Sequence, residues 1–299
     1  MQYRTRFAPS PSGLLHVGNA YSALYCARWA EQHQAELLLR IEDIDHTRCR
    51  AEFAEHIITD LHWLGLSWPQ PVRYQSQCLA AYQEALLELK NMAVVYPCFC
   101  TRKDIQQEIN RMPSAPQAES SAPIYPGTCR NLDFNQQQQR MKHEPYAWRL
   151  DVQKALTKAG ENLSWQDGSG KRYPAQIDHD IVIGRKDISF SYHLSVVVDD
   201  AEQHISHIIR GEDLRDSTGI HRLLQELLQK PEPVYIHHAL LCEANGSKLS
   251  KRDGSVSLQS LRLMGVDAQK LHAFLNHATP LSWPFTQARA ADILDILGN

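Results

Sequence analysis

The stretch from Arg6 to Asn19 combines a cation, two prolines, two glycines and a histidine, in the order Arg-Phe-Ala-Pro-Ser-Pro-Ser-Gly-Leu-Leu-His-Val-Gly-Asn. The prolines stiffen the turn, and Gly13 and Gly18 let the backbone approach a ligand closely. A helix that starts here offers free N–H groups and a positive dipole end, both of which suit phosphate. The stretch has neither a Gly-x4-Gly-Lys loop nor a Gly-x-Gly-x-x-Gly fingerprint, so an ordinary strand-turn-helix connection is the alternative.

Three acids follow a compact apolar run that ends at Ile41: Glu42, Asp43 and Asp45. Glu42 comes directly after the predicted strand, so we expect its side chain to point into the crevice at the end of that strand. A carboxylate there can hold a substrate ammonium group. Asp45 suits the cap of a helix that begins near Thr47.

Two arginines offer planar forks for a carboxylate, Arg6 in the first strand and Arg210 much later in the chain. Two guanidinium groups in one pocket would favour a dicarboxylic amino acid over its amide. The alternative for Arg210 is a structural ion pair with Glu212 or Asp213.

A basic turn over 246–252 reads Gly-Ser-Lys-Leu-Ser-Lys-Arg. Its lysines, Lys248 and Lys251, can close on a triphosphate from across the crevice. A solvated basic turn is the alternative.

Cys98, Cys100 and Cys129 have a spacing that suits a zinc knuckle in a chain without a secretion signal. Structural zinc takes four ligands, so the fourth must be another side chain, and the imidazole of His143 is a chemical candidate. Three buried thiols without a metal are the alternative.

Hydrophobic periodicity predicts a strand over 1–7, a helix over 18–34 and a strand over 35–41, which together form a right-handed βαβ unit. Ligands of such sheets bind at the carboxyl ends of the strands, where the turn after Arg6 and the acids after Ile41 would both lie. Further along, we expect helices over 51–64, 79–92, 217–229, 255–276 and 289–297, a helix-to-strand stretch over 192–200, a strand over 234–241, and small antiparallel strands between 146 and 190.

The chain has 299 residues, of which 43% are hydrophobic and 22% are charged, and its 31 basic and 34 acidic residues give a net charge of −3. These values are ordinary for a globular protein and give no bulk basicity for nucleic acid, although a local basic groove remains compatible with them. Without a long apolar run or a signal pattern, we expect a cytoplasmic protein with no membrane partner, and a monomer.

The N-terminal stretch resembles the signature of class I aminoacyl-tRNA synthetases, with His16-Val-Gly-Asn19 where that family has His-Ile-Gly-His. The Arg-Phe-Ala-Pro-Ser-Pro prefix is typical of the glutamyl/glutaminyl branch. The turn over 248–252 is similar to the family's Lys-Met-Ser-Lys-Ser loop, and 40–45 is similar to its Arg-Ile-Glu-Asp-Thr-Asp segment.

The resemblance implies an α/β fold with a Rossmann-type parallel sheet, an inserted α+β subdomain that carries zinc, and a short C-terminal helical subdomain. The implied boundaries are 1–95 and 191–245 for the two halves of the catalytic domain, 96–190 for the insertion, and 246–299 for the lysine loop and helical subdomain. No anticodon-binding domain is expected.

The resemblance also assigns roles to residues. Glutamate would contact Arg6, Phe7, Ala8, Pro9, Ser10, Glu42, Tyr192 and Arg210, with Glu42 on its α-amino group. ATP would contact His16, Gly18, Asn19, Lys248, Ser250 and Lys251, and His16, Lys248 and Lys251 would be catalytic through charge stabilisation. Zinc would bind Cys98, Cys100, Cys129 and, as the fourth ligand, Tyr125.

Because only some fifty residues follow the lysine loop, the chain resembles the shortened, glutamyl-Q tRNA(Asp) branch of this family. That branch implies ATP-dependent activation of L-glutamate with Mg²⁺, and transfer to the cyclopentene diol of queuosine in the anticodon of tRNA(Asp). A discrete enzyme that charges tRNA(Glu), and a tRNA-independent ligase that uses glutamyl-adenylate, are the alternatives.

Overall fold

The computed structural model describes residues 2–101, 103–105, 125–160, 162–185, 190–241 and 257–277. Its helices are α1 (Val17–Gln32), α2 (Ala51–Trp63), α3 (Leu79–Asn91), α4 (Phe134–Met141), α5 (Val152–Ala159), α6 (Tyr192–Glu202), α7 (Ser217–Leu227), α8 (Leu258–Leu263) and α9 (Ala268–His277). Its strands are β1 (Arg4–Phe7), β2 (Glu36–Ile41), β3 (Arg73–Tyr74), β4 (Val95–Cys98), β5 (Ala147–Leu150), β6 (Ser164–Gln166), β7 (Arg172–Pro174), β8 (Ile181–Gly184), β9 (His207–Gly211) and β10 (Val234–His238). Within these ranges, no helix has the length and apolar character that a membrane span requires.

Parallel strands form the centre of the molecule. Strands β1, β2 and β3 make one parallel sheet, and β9 and β10 make a second parallel pair. The two meet along β1 and β9, where the amide of Ser206 donates to the carbonyl of Arg4 at 3.1 Å and Arg6 Nη1 donates to the carbonyl of Ile209 at 3.4 Å. These contacts align β9 with β1 in the same direction. The prediction of an α/β fold with a parallel sheet is confirmed.

Helix α1 connects β1 to β2 and buries a face of small and apolar residues. Its Ala20, Ala23 and Leu24 are almost fully buried at spacings of three and four residues, which is the period of an α-helix. The same hydrophobic cluster includes residues of β2 and α2, and Leu258, Leu261, Leu271 and Leu275 of α8 and α9. The helices after residue 257 therefore pack on the first half of the parallel sheet.

Antiparallel strands lie between the two parallel parts of the chain. Strand β5 pairs with both β4 and β8, and β6 pairs with β7 through the turn at Asp167–Gly170. Asp167 Oδ1 closes this turn by accepting from the amides of Ser169 at 2.9 Å and Lys171 at 3.0 Å. The small antiparallel strands that the sequence predicted in this region are confirmed, whereas the domain boundaries remain a prediction.

Arg40 joins β2 to α6 through a network of buried ions. Its side chain has no solvent exposure. Its Nη1 donates to Asp200 at 2.8 Å and to Gln203 at 3.0 Å, its Nη2 donates to Glu42 at 3.2 Å, and its Nε lies 3.7 Å from Asp199. Burial alone would lower the pKa of Arg40, but the three carboxylates raise it above its usual value. The guanidinium therefore stays charged and fixes the end of β2 against α6.

Three details of the predicted elements are wrong. The stretch over 192–200 is helical throughout, because Ser191 caps α6 and tertiary packing of Val196 and its neighbours overrides the strand preference of valine. The predicted helix over 255–276 is two helices, because Gly265 takes a φ of +79° between them. Asp45 caps no helix: it accepts from Thr47 and Arg48 in a turn, and α2 begins later.

We predict that Arg40→Met lowers the free energy of unfolding by about 3–5 kcal/mol, because it leaves buried carboxylates without their cation. Urea denaturation followed by tryptophan fluorescence measures this loss. Arg48→Met is the matched control: Arg48 is 72% exposed and pairs with Asp45, so its loss should stay below about 1 kcal/mol. Equal losses in the two variants would contradict this account of Arg40.

Candidate active site

The start of α1 is shaped by His16. This residue is the N-cap: its Nδ1 accepts from the amide of Gly18 at 3.0 Å, and its own amide donates to Asn19 Oδ1 at 3.1 Å. A Cβ atom on Gly18 would lie 2.8 Å from Cε1 of His16, so a larger residue there would displace the capping ring. The first turn of α1 contains no acid, so no carboxylate of that turn neutralises the positive end of the helix.

A cavity of about 430 Å³ opens beside this helix start. Its walls come from the residues that follow β1 and β2, from the end of β9 and from the start of α6. All eight residues predicted to contact the amino acid line it: Arg6, Phe7, Ala8, Pro9, Ser10, Glu42, Tyr192 and Arg210. Asn19 lines it too, and His16 and Gly18 belong to the adjoining helix start.

Glu42 is the carboxylate of this cavity, and it is only 7% exposed. Its Oε1 accepts a hydrogen bond from Arg40. No described donor bonds its Oε2, so this oxygen is available to a cation in the cavity. Burial raises the pKa of Glu42 by more than Arg40 and Arg6 lower it. A bound ammonium group would relieve the cost of holding this carboxylate ionised.

Arg6 lines the cavity but is already engaged. Its Nε donates to Asp200 Oδ1 at 2.9 Å and its Nη2 donates to Asp200 Oδ2 at 3.3 Å, which is a bidentate ion pair. Burial raises the pKa of Asp200, but Arg6 and Arg40 together lower it below its usual value. The fork predicted for a substrate is thus largely used inside the protein.

Arg210 is held by neutral groups instead. Its Nη1 bonds His221 Nδ1 at 2.9 Å, its Nη2 donates to Thr218 Oγ1 at 2.7 Å, and its Nε donates to His237 Nε2 at 3.3 Å. Glu212, which the sequence offered as an ion-pair partner, bonds Arg215. Among the described ion pairs, none joins Arg210 to Glu212 or Asp213.

The lysine loop predicted from the sequence falls within 242–256. Lys248, Ser250, Lys251 and the rest of 242–256 lie outside the described residues. The chain returns next to the helix start, because Ser257 forms a β-bridge with His16 and the amide of Leu258 donates to the carbonyl of Leu15 at 2.8 Å. The roles given to these lysines remain predictions.

Three cysteines converge away from this cavity. The sulfur atoms of Cys98, Cys100 and Cys129 all lie within 4.8 Å of one another, and those of Cys100 and Cys129 are 3.5 Å apart. Tetrahedral zinc with bonds of about 2.3 Å would place its sulfur ligands about 3.8 Å apart, so the cluster fits that metal. A hydrogen bond with Cys129 lowers the pKa of Cys98 well below its usual value, which favours the thiolate form that zinc binds.

The geometry around the three cysteines favours Tyr125 over His143 as a fourth zinc ligand. The hydroxyl of Tyr125 lies 3.5 Å from the sulfur of Cys98 and 3.9 Å from that of Cys100. It also accepts from the amide of Cys129 at 2.8 Å. His143 is exposed on the turn after α4. The four residues predicted from the resemblance therefore lie together.

Several residues of the site were missed by sequence reasoning. Arg40 and Asp200, which hold Glu42 and Arg6, were given no role, although a charge inside the apolar run of β2 was a visible signal. His221 and His237 were also missed, because they come close to Arg210 only through the folding of α7 and β10. Nothing in their local sequence indicates that these histidines contact Arg210.

Comparison with known proteins places the chain among synthetases. A family model described as tRNA synthetases class I (E and Q), catalytic domain, matches residues 2–290. The chain is 38% identical over 269 residues to a glutamyl-Q tRNA(Asp) synthetase of Rhodobacter capsulatus, covering 87% of this chain and 95% of that protein.

Longer proteins match as well. A glutamate–tRNA ligase of Crocosphaera subtropica is 36% identical over 293 residues, which are 95% of this chain but 58% of that protein. The crystal structure of a glutamate–tRNA synthetase from Elizabethkingia anophelis has a TM-score of 0.69 at 27% identity, covering 85% of this chain and 53% of that one. The chain thus spans nearly all of one relative and little more than half of the other two.

Proposed function

Because the chain belongs to the class I tRNA synthetases for glutamate and glutamine, we propose that it activates L-glutamate with ATP and transfers it to queuosine in tRNA(Asp). The observation that carries the proposal is the distribution of charge in the 430 Å³ cavity. Glu42 suits the α-ammonium group of an amino acid, and Arg210, held by neutral groups, suits a carboxylate. A dicarboxylic amino acid can engage both groups and still leave its α-carboxylate free to react with ATP.

The first step joins glutamate to the nucleotide. An oxygen of the α-carboxylate attacks the α-phosphorus of ATP, the bond to the β-phosphate breaks, and pyrophosphate leaves with its electron pair. The product is the mixed anhydride glutamyl-adenylate. The N-terminus of α1, which His16 caps and whose first turn contains no acid, adjoins the cavity and suits the phosphates. Positioning and charge stabilisation carry the acceleration, with Lys248 and Lys251 as the proposed cations.

The second step transfers the glutamyl group. A hydroxyl oxygen of the acceptor attacks the anhydride carbonyl, AMP leaves, and an ester forms as the hydroxyl proton is lost. Queuosine carries a cis-diol that imitates the terminal ribose diol used by tRNA synthetases. The name of the Rhodobacter capsulatus relative, which is matched over 95% of its length, supports this acceptor.

Two metals accompany the proposal. Mg²⁺ would enter with ATP, held mainly by its phosphates. Zinc would bind Cys98, Cys100, Cys129 and Tyr125, and would tie the end of β4 to the segment before α4. These residues belong to the proposed insertion over 96–190, and the segment over 246–299 is the proposed helical subdomain.

The acceptor is tested with labelled glutamate, ATP and two preparations of tRNA(Asp), one with queuosine and one with guanosine at the wobble position. We expect labelling of the queuosine form to exceed that of the guanosine form at least about a hundredfold, because the guanosine form lacks the diol. Equal labelling would contradict the proposal. Labelling of tRNA(Glu) in its place would identify a glutamate–tRNA ligase, and activation without labelling of any tRNA would favour a tRNA-independent ligase.

The metal is tested by elemental analysis of protein purified without chelators. We expect about one zinc per chain, and a loss of most of it in Cys100→Ser, because serine's alkyl hydroxyl is far less acidic than a thiol or a phenol and replaces a thiolate ligand with a neutral group. Cys78→Ser is the control, since Cys78 donates to the carbonyl of Tyr74 and lies outside the cluster. A zinc-free parent protein, or the same zinc loss in both variants, would argue against the site.

A further inference from the structure

A chain of hydrogen bonds behind Arg210 fixes the protons of two histidines. A guanidinium group can only donate, so the nitrogen of His221 that faces Arg210, Nδ1, must accept. His221 is therefore neutral and carries its proton on Nε2. That nitrogen lies 3.1 Å from Nδ1 of His193, which must accept in turn. His193 then carries its own proton on Nε2.

The same logic applies on the other side of Arg210. Nε2 of His237 accepts from Arg210 at 3.3 Å and lies 3.3 Å from the hydroxyl of Thr218. His237 must therefore be neutral, with its proton on Nδ1. Burial and the charge of Arg210 lower the pKa of His237 to about 3 and that of His221 well below its usual value. All the described acceptors around Arg210 are thus uncharged.

Arg6, the other arginine of the cavity, differs from Arg210 in the charge of its hydrogen-bond partners. Arg6 and Arg210 are 4% and 5% exposed, so both are almost fully removed from water. Arg6 faces the two oxygens of Asp200, whereas Arg210 faces two imidazoles and a hydroxyl. These neutral groups accept from three of the five N–H bonds of Arg210, and the ring of Tyr235 lies 5.2 Å from its guanidinium, but no described carboxylate forms an ion pair with it.

We propose that His221, with Thr218 and His237, is a positioning residue that orients Arg210 without neutralising it and so makes the cavity select a carboxylate over a carboxamide. This inference rests on the proposed function, because it concerns the side chain of the activated amino acid. A buried cation gains most from an anion. Glutamate supplies one, whereas glutamine would leave the charge of Arg210 unpaired.

The test uses His221→Asn and His221→Asp, which differ by one charge at the same place. Asn Oδ1 takes the position of the accepting imidazole nitrogen, so this variant should keep the KM for glutamate within about threefold of the parent. Asp presents a carboxylate to Arg210 and neutralises it. Its KM for glutamate should rise about tenfold or more, with kcat changed far less, and its preference for glutamate over glutamine should fall by a similar factor.

The measurement is ATP–pyrophosphate exchange, titrated with glutamate and with glutamine. A purely structural role for His221 would impair both amino acids equally and both variants alike, and that result would overturn the inference. A His221→Asp variant that keeps the parent's preference for glutamate over glutamine would also overturn it.

Failure of the proposed function can be distinguished from failure of this inference. If the proposed function is wrong, the parent protein itself shows no glutamate-dependent exchange. In that event the positions of the protons on the histidines test the inference independently of activity. Nitrogen-15 NMR of the parent protein should show His221 and His193 neutral with the proton on Nε2, without any substrate. A proton on Nδ1 of His221, or a charged imidazole ring, would refute the chain of hydrogen bonds from Arg210 through His221 to His193.

Discussion

The guanidinium of Arg40 is the constraint from which the rest of the site follows. Arg40 has no solvent exposure and does not line the cavity, so nearby anions must offset the cost of burying its charge, and the chain supplies Asp199 and Asp200 from α6 and Glu42 from the end of β2. Those anions fix elements that are 160 residues apart in sequence. Each has a second function: Asp200 also binds Arg6, and Glu42 also lines the cavity.

This arrangement separates the charges that hold the protein together from the charge that is open to a ligand. The network of Arg40, Arg6 and Asp200 is buried and internally paired, so it supplies geometry. Arg210 lies in the cavity wall, where its described hydrogen-bond partners are neutral, so its charge remains available to an anionic ligand. The cavity therefore presents a partly engaged carboxylate and a guanidinium that no described carboxylate pairs with, which suit the α-ammonium group and the side-chain carboxylate of a dicarboxylic amino acid.

The sequence predicted those features that depend on local pattern. The βαβ unit follows from hydrophobic periodicity, and the position of the cavity follows from the strand ends, where parallel sheets bind ligands. The full set of eight cavity residues, and the grouping of Tyr125 with the three cysteines, came from the resemblance to the synthetase family.

What could not be predicted depends on long-range contacts. The free fork expected of Arg6 is occupied by Asp200, which comes from a helix that the valines of 196–198 had suggested to be partly a strand. The histidines around Arg210 carry no local signal, because their significance lies in the proton positions that a donor-only neighbour imposes. The lysine loop, whose motif is clear, lies outside the described residues, so its part in the site rests on sequence alone.

The most direct test is a crystal structure of the protein with a non-reactive sulfamoyl analogue of glutamyl-adenylate. The account predicts the side-chain carboxylate within hydrogen-bond distance of Arg210, the α-ammonium group on Glu42, and the adenylate beside the His16 end of α1. An analogue bound in this cavity with its carboxylate away from Arg210, or with its ammonium group away from Glu42, would contradict it.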